Sequence, residues 1–160
     1  RDIAEKLNDF YVDSVVDINR SIDDGGIVHT EMQECPADQP KFELQQVDTN
    51  CLAKCLREMC NKKDVDFLSP GILLDAWPII GDMICDIVNL SLTSSMPDIW
   101  KMATVVPVAK IPQPKLDVDY RPVNMLPTLE KLFETVVKDQ LLACIERYGL
   151  LSRSQSAYRE

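Results

Sequence analysis

The sequence predicts a helix-rich α+β fold, and three observations carry that reading. Apolar residues recur at three- and four-residue steps over several separate stretches, which is the period of an amphipathic helix. Two short apolar runs, Ala103 to Val108 and Arg121 to Leu126, bracket one polar loop and read as a hairpin. No internal repeat and no low-complexity tract argues for a solenoid or a disordered chain.

The elements follow in order. Ile3, Leu7, Phe10, Tyr11, Val15, Ile18 and Ile22 fall on one helical stripe, and Asp23-Asp24-Gly25-Gly26 ends it. The stretch 24–40, with its glycines, prolines and acids, reads as a loop. Phe42 to Val47 is expected as a short strand. A second helix starts at Asp48 or Thr49, whose side-chain oxygen can accept an exposed N–H, and runs to about Asn61. After a polar loop, a longer helix is expected from about Asp75 to Ser94, with Pro78 tolerated in its first turn and Pro97 beyond its end.

The hairpin comes next, with strands near 102–108 and 121–125; Pro107 and Pro122 make its pairing edge-like. Thr128 is the expected cap of a last long helix. Glu130 in its first turn suits the helix dipole, and Leu129, Leu132, Phe133, Val136, Leu141, Cys144, Ile145 and Tyr148 form its stripe. Gly149 is a fitting stop.

A chain of 160 residues is one domain, or one and a fragment, and buries enough surface for a modest core. No apolar run approaches the roughly 18 residues of a membrane span. The chain has no initiating Met and no basic-then-apolar leader, so a piece of something longer, in cytoplasm or nucleus, is expected. The net charge of −9 is unevenly spread: residues 1–99 carry 8 Lys/Arg against 19 Asp/Glu, residues 100–160 carry 9 against 7. Neither part has the basic face of a self-sufficient nucleic-acid binder, because phosphate contacts supply most of that affinity.

Cys51, Cys55 and Cys60 lack zinc-site spacing, and His29 is the only histidine, so the thiols are read as lining one buried helix face in reduced form. The acidic pairs Asp23/Asp24 and Asp64/Asp66 read as solvated loops. No Gly-rich phosphate loop, Ser/His/Asp set or Cys–His pair is present, so no catalytic and no metal-binding residue is assigned.

The chemistry that remains is cationic. Lys110 ends the first hairpin run and Arg121 opens the second, so both can point into one groove and grip one polyphosphate. Lys brings a compact charge and Arg a planar fork that takes two oxygens. The competing reading leaves Lys110 simply exposed and pairs Arg121 with Asp117 or Asp119. Trp100, Tyr120 and Tyr158 could stack on bases, or serve as packing anchors.

Six motifs now stand in one order: Trp100-Lys101; a strand ending in Lys110; Asp119-Tyr120-Arg121-Pro122-Val123; the helix near 128–148; Gly149-Leu150-Leu151; and Gln155-Ser156-Ala157-Tyr158-Arg159. This order resembles the start of the reverse transcriptase domain of non-LTR (LINE-type, Jockey-like) retrotransposons. A fainter likeness runs upstream through Asp75-Ala76-Trp77-Pro78 and Ile3 to Phe10.

The resemblance implies an incomplete reverse transcriptase fold. Residues 1–99 would be a helical lead-in, and residues 100–160 a fingers portion with its β-hairpin, cut before the palm. It gives Lys110 and Arg121 the phosphates of an incoming dNTP, and sets Gln155, Tyr158 and Arg159 near the template–primer path. Three positions depart from the family: Ala157 stands for a Gly, Glu160 for a basic residue, and the region of Asp66 lacks the family's Gly-x-Asp-Gly-Ile turn. The carboxylates that hold two Mg²⁺ ions lie further on in the family, so this chain alone is expected to be inactive. In the parent enzyme the partners would be RNA template, DNA primer and dNTP. Marginal stability and exposed apolar surface, chiefly on the 128–148 helix, are expected. The alternatives are a domesticated, non-catalytic module whose acidic residues 1–99 meet a protein partner, or a relic without function.

Overall fold

The computed structural model describes residues 2–23, 41–59 and 68–151. They form four α-helices and one two-stranded antiparallel sheet, in the order α1 (Ile3–Asp23), α2 (Thr49–Met59), α3 (Pro70–Thr93), β1 (Thr104–Ala109), β2 (Tyr120–Met125) and α4 (Thr128–Tyr148). Short 3₁₀ turns at Asp98–Lys101 and Asp117–Asp119 precede the two strands. The helix-rich α+β class is as the sequence predicts. The chain divides into two compact units interleaved along the sequence: Arg1–Gln39 with Thr104–Met125, and Pro40–Ala103 with Leu126–Glu160.

The second unit is helical and holds the core. Leu52, Leu56 and Met59 of α2, Leu73, Ile84 and Val88 of α3, Leu132 and Val136 of α4, and Trp100 come together there. Each helix contributes residues three, four or eleven apart, the spacing that keeps one stripe inward. Ser69 caps α3, its hydroxyl accepting from the Ile72 N–H at 3.4 Å, and Pro70 occupies the first turn, where a missing N–H costs nothing. The helix therefore begins five residues before the expected Asp75, and Pro78 lies in its interior rather than its first turn. At the other end of the unit, Gly149 takes the left-handed conformation (φ 61°), and the Leu150 N–H donates back to the Ile145 carbonyl at 3.0 Å. Thr128 is not the cap of α4 but its first, fully buried residue, with Pro127 at the cap position.

The expected strand at Phe42 to Val47 is absent, for a physical reason. Two of its residues have their backbone groups met by side-chain amides instead of a neighbouring strand. Asn89 accepts from the Val47 N–H and donates to the Val47 carbonyl, both at 2.9 Å. Gln140 does the same for Gln45, at 2.7 and 2.8 Å. Each amide carries one donor and one acceptor in the geometry of a peptide group, so it imitates one rung of a ladder. Asn89→Ala should leave the Val47 N–H unpaired and its carbonyl with only the weak Cys85 thiol donor at 3.2 Å. We expect it to cost about 1–3 kcal/mol in urea unfolding, with Asn89→Gln recovering little because the longer arm overshoots.

α3 is apolar on two faces. Its outer face leaves Ile72, Ile79, Met83 and Leu90 at 53%, 86%, 58% and 63% exposure, at steps of seven, four and seven residues. Exposed apolar surface is thus present, but a long stripe of it lies on α3 rather than on the expected α4.

In the first unit, α1 is amphipathic as predicted, yet only Leu7 of its stripe is buried, while Ile3, Val15, Ile18 and Ile22 stay exposed. Lys6 reaches Asp117 in the hairpin loop at 2.9 Å.

Candidate functional site: the β-hairpin and its cations

Register decides which hairpin residues share a face. Thr104 pairs with Met125, Val106 with Val123, Pro107 with Pro122, Val108 with Arg121 and Ala109 with Tyr120. The Lys110 N–H donates to the Asp119 carbonyl at 2.8 Å, so Lys110 and Asp119 form a hydrogen-bonded pair. Alternation along an antiparallel ladder then puts Pro107 opposite Pro122 at a non-hydrogen-bonded pair, where neither needs an N–H. That is why two prolines fit inside so short a hairpin.

The same alternation, with a side-chain period of two, sets Lys110, Arg121, Val108, Val106 and Val123 on one face. Ala109, Tyr120, Pro107, Pro122, Val105 and Asn124 lie on the other, and Val105, Pro122 and Asn124 line a cleft of about 380 Å³ with α1. Lys110 and Arg121 therefore stand as diagonal neighbours on the face turned from α1, at the loop end.

The loop is held by its acids. The Asp119 carboxylate accepts from the Lys115 and Leu116 N–H groups, each at 2.9 Å. Those two bonds, with a smaller contribution from the Lys110 charge, hold the carboxyl below its ordinary range. Asp117 is engaged by Lys6. Both acids named as alternative partners for Arg121 are thus occupied elsewhere, and the Arg121 guanidinium makes no ion pair among the described residues. Lys110 is less free, because its ammonium donates to the Val118 carbonyl at 2.7 Å. A ligand must draw it from that carbonyl, whereas Arg121 needs no release.

The aromatic candidates separate. Trp100 is 6% exposed and packs its ring 5.8 Å from Phe133, so it is a core anchor and not a platform for bases. Tyr120 is half-buried on the sheet face opposite the cations. Gln155, Tyr158 and Arg159 lie outside the described residues, as do Asp64, Asp66, Cys35, Cys60 and His29.

The thiols depart from the expectation of one buried face. Cys55 is buried and its pKa pushed up to about 11, first by desolvation and then by the neighbouring Cys51; Cys51 itself is exposed. Among the described residues no three His, Cys, Asp or Glu side chains converge. No described helix is long and apolar enough to cross a membrane.

Two features escaped sequence reasoning. The amide clamps of Asn89 and Gln140 had one legible signal, an Asn set among Cys85, Val88 and Leu92 on a buried helix face. The grip of Lys6 on Asp117 spans 111 residues and had none.

Over 64 residues, 39% of its length, the chain is 33% identical to the RNA-directed DNA polymerase from mobile element jockey of Drosophila melanogaster. The chain spans 7% of the length of that protein. No family model and no solved structure matches. The likeness ties this stretch to a mobile-element polymerase and reaches only a small part of it.

Proposed function

We propose that this chain is a portion of the reverse transcriptase of a non-LTR retrotransposon. Residues 1–99 act as its helical lead-in and residues 100–160 as its fingers. In that role Lys110 and Arg121 receive the phosphates of an incoming dNTP, and Gln155, Tyr158 and Arg159 approach template and primer. The nucleotidyl transfer itself, with Mg²⁺, belongs to a palm beyond these residues, acting in cytoplasm or nucleus on an RNA template.

One observation supports the reading most: Arg121 is an exposed guanidinium, unpaired among the described residues, on the same sheet face as Lys110, beside a loop already braced by Asp119. A planar fork with no such partner suits a dianionic group, because the bidentate contact forms without first breaking an ion pair. The 64-residue likeness supports it independently. In titrations of the chain with dTTP followed by ³¹P NMR, Arg121→Ala should weaken binding about tenfold or more, the worth of a charge-assisted hydrogen bond. Lys110→Ala should cost less, since Lys110 must first leave Val118. Equal affinity for wild type and Arg121→Ala would remove the hairpin from the polyphosphate role.

The outer stripe of α3 favours a second reading. A helix apolar on both faces is ordinarily covered on both, and a protein partner on Ile72, Ile79, Met83 and Leu90 would make this a non-catalytic interaction module.

A further inference from the structure

Two aromatic side chains among the described residues are left exposed, Phe42 at 42% and Tyr148 at 43%, and both line the same groove. The groove, of about 570 Å³, lies between residues 41–45 and the last turns of α4, inside the helical unit. Lys41 and Arg147 line it as well, against a single acid, Glu43. The Arg147 guanidinium sits over one face of the Tyr148 ring, 5.5 Å from its centre, so the cation and the ring stand side by side in the groove.

These parts are not a fold requirement. Gln45 and Val47 are held by Gln140 and Asn89, and neither ring belongs to the buried core. Exposed rings flanked by cations are what unpaired bases and their phosphates require: every base has a face to stack, and the backbone brings one negative charge per step. A duplex hides its base faces and cannot use them. The amide clamps hold the backbone three and five residues beyond Phe42, which limits what a ligand must order on that side of the groove.

We propose that this groove binds single-stranded nucleic acid, with bases stacked on Phe42 and Tyr148 and phosphates resting on Lys41 and Arg147. The site is separate from the hairpin cations and does not depend on the dNTP reading, because it shares no residue with them. With two cations the contact is weak and salt-sensitive, with a log–log slope of about −1.4 for two phosphates on a single strand.

The experiment is fluorescence anisotropy of labelled octauridylate with the full chain at low salt. Phe42→Ala with Tyr148→Ala should weaken binding tenfold or more, and Arg147→Ala should flatten the salt slope. Lys54→Ala, an exposed cation on α2 outside the groove, should change nothing. Both rings are exposed, so the double variant should keep the wild-type far-UV spectrum. A double variant that has lost it is replaced by Phe42→Leu with Tyr148→Leu, which keep apolar bulk without a stacking face and should show the same loss. Undetectable binding by wild type would overturn the proposal. So would equal affinity for octauridylate and its duplex, or for wild type and the folded ring variants, since each leaves a charge contact without stacking.

Discussion

Trp100→Ala should destabilise the helical unit by about 3–5 kcal/mol. Trp100 is 6% exposed and meets Phe133 with ring centroids 5.8 Å apart, in the same cluster as Leu132 and Val136 of α4 and Val88 of α3. Truncation removes apolar area and leaves a cavity that three helices would have to close together. Domains of this size are stable by only about 5–15 kcal/mol, so the variant should unfold at much lower urea concentration, or fail to fold at the growth temperature. The outcome also separates the two roles open to this residue from sequence. A surface tryptophan that waits for a base would change stability by about 0.5 kcal/mol or less.

Glu130→Leu should raise stability at neutral pH by about 1–3 kcal/mol, the cost of an unsatisfied buried polar group. Glu130 is 6% exposed, and its Oε2 has no hydrogen-bond partner. Burial, and then the like charge of Glu134 one turn on, push its pKa above the ordinary glutamate range. Glu130 lines a groove along α4, distinct from that of Phe42 and Tyr148, together with Lys131, Glu134 and Lys138. The sign follows from proton binding. A carboxyl whose folded pKa is raised holds its proton more tightly when folded, so its stabilising effect is complete below the unfolded pKa of about 4.3. It is lost as pH rises through the higher folded value. The gain from Glu130→Leu should therefore be greatest near pH 7 and shrink as the solution is acidified. Urea midpoints of wild type and variant across that range check this; a difference that grows on acidification would contradict it. Asp119, held low by its two backbone N–H groups, runs the opposite way in both proteins and cancels in the comparison.

Periodic elements were legible because their cause is local. The stripe of α1, the cap at Asp48, the hairpin runs and the Gly149 stop each depend on residues within a turn or two, and each lies close to where the pattern puts it. The start of α3 was misplaced because Pro78 was taken as a first-turn proline, although Ser69-Pro70 carried the stronger start signal. Phe42 to Val47 looked like a strand because a local pattern does not say what meets the backbone. What satisfies that backbone comes from Asn89 and Gln140, 42 and 95 residues away. The site divides along the same line. Lys110 and Arg121 could be matched to the hairpin from their positions, whereas the engagement of Asp117 by Lys6, which leaves Arg121 unpaired among the described residues, could not. Trp100 carried no local sign of which side of its surroundings it would face.

The most direct test of the polymerase reading is to determine the transcript through and beyond the codon for Glu160. The reading predicts an open frame that continues into a palm with paired metal-binding aspartates, and a dNTP incorporation rate in that longer protein that falls with Arg121→Ala. A frame that closes without those aspartates would contradict it, and would leave the apolar stripe of α3 as the feature of this chain that asks for a partner.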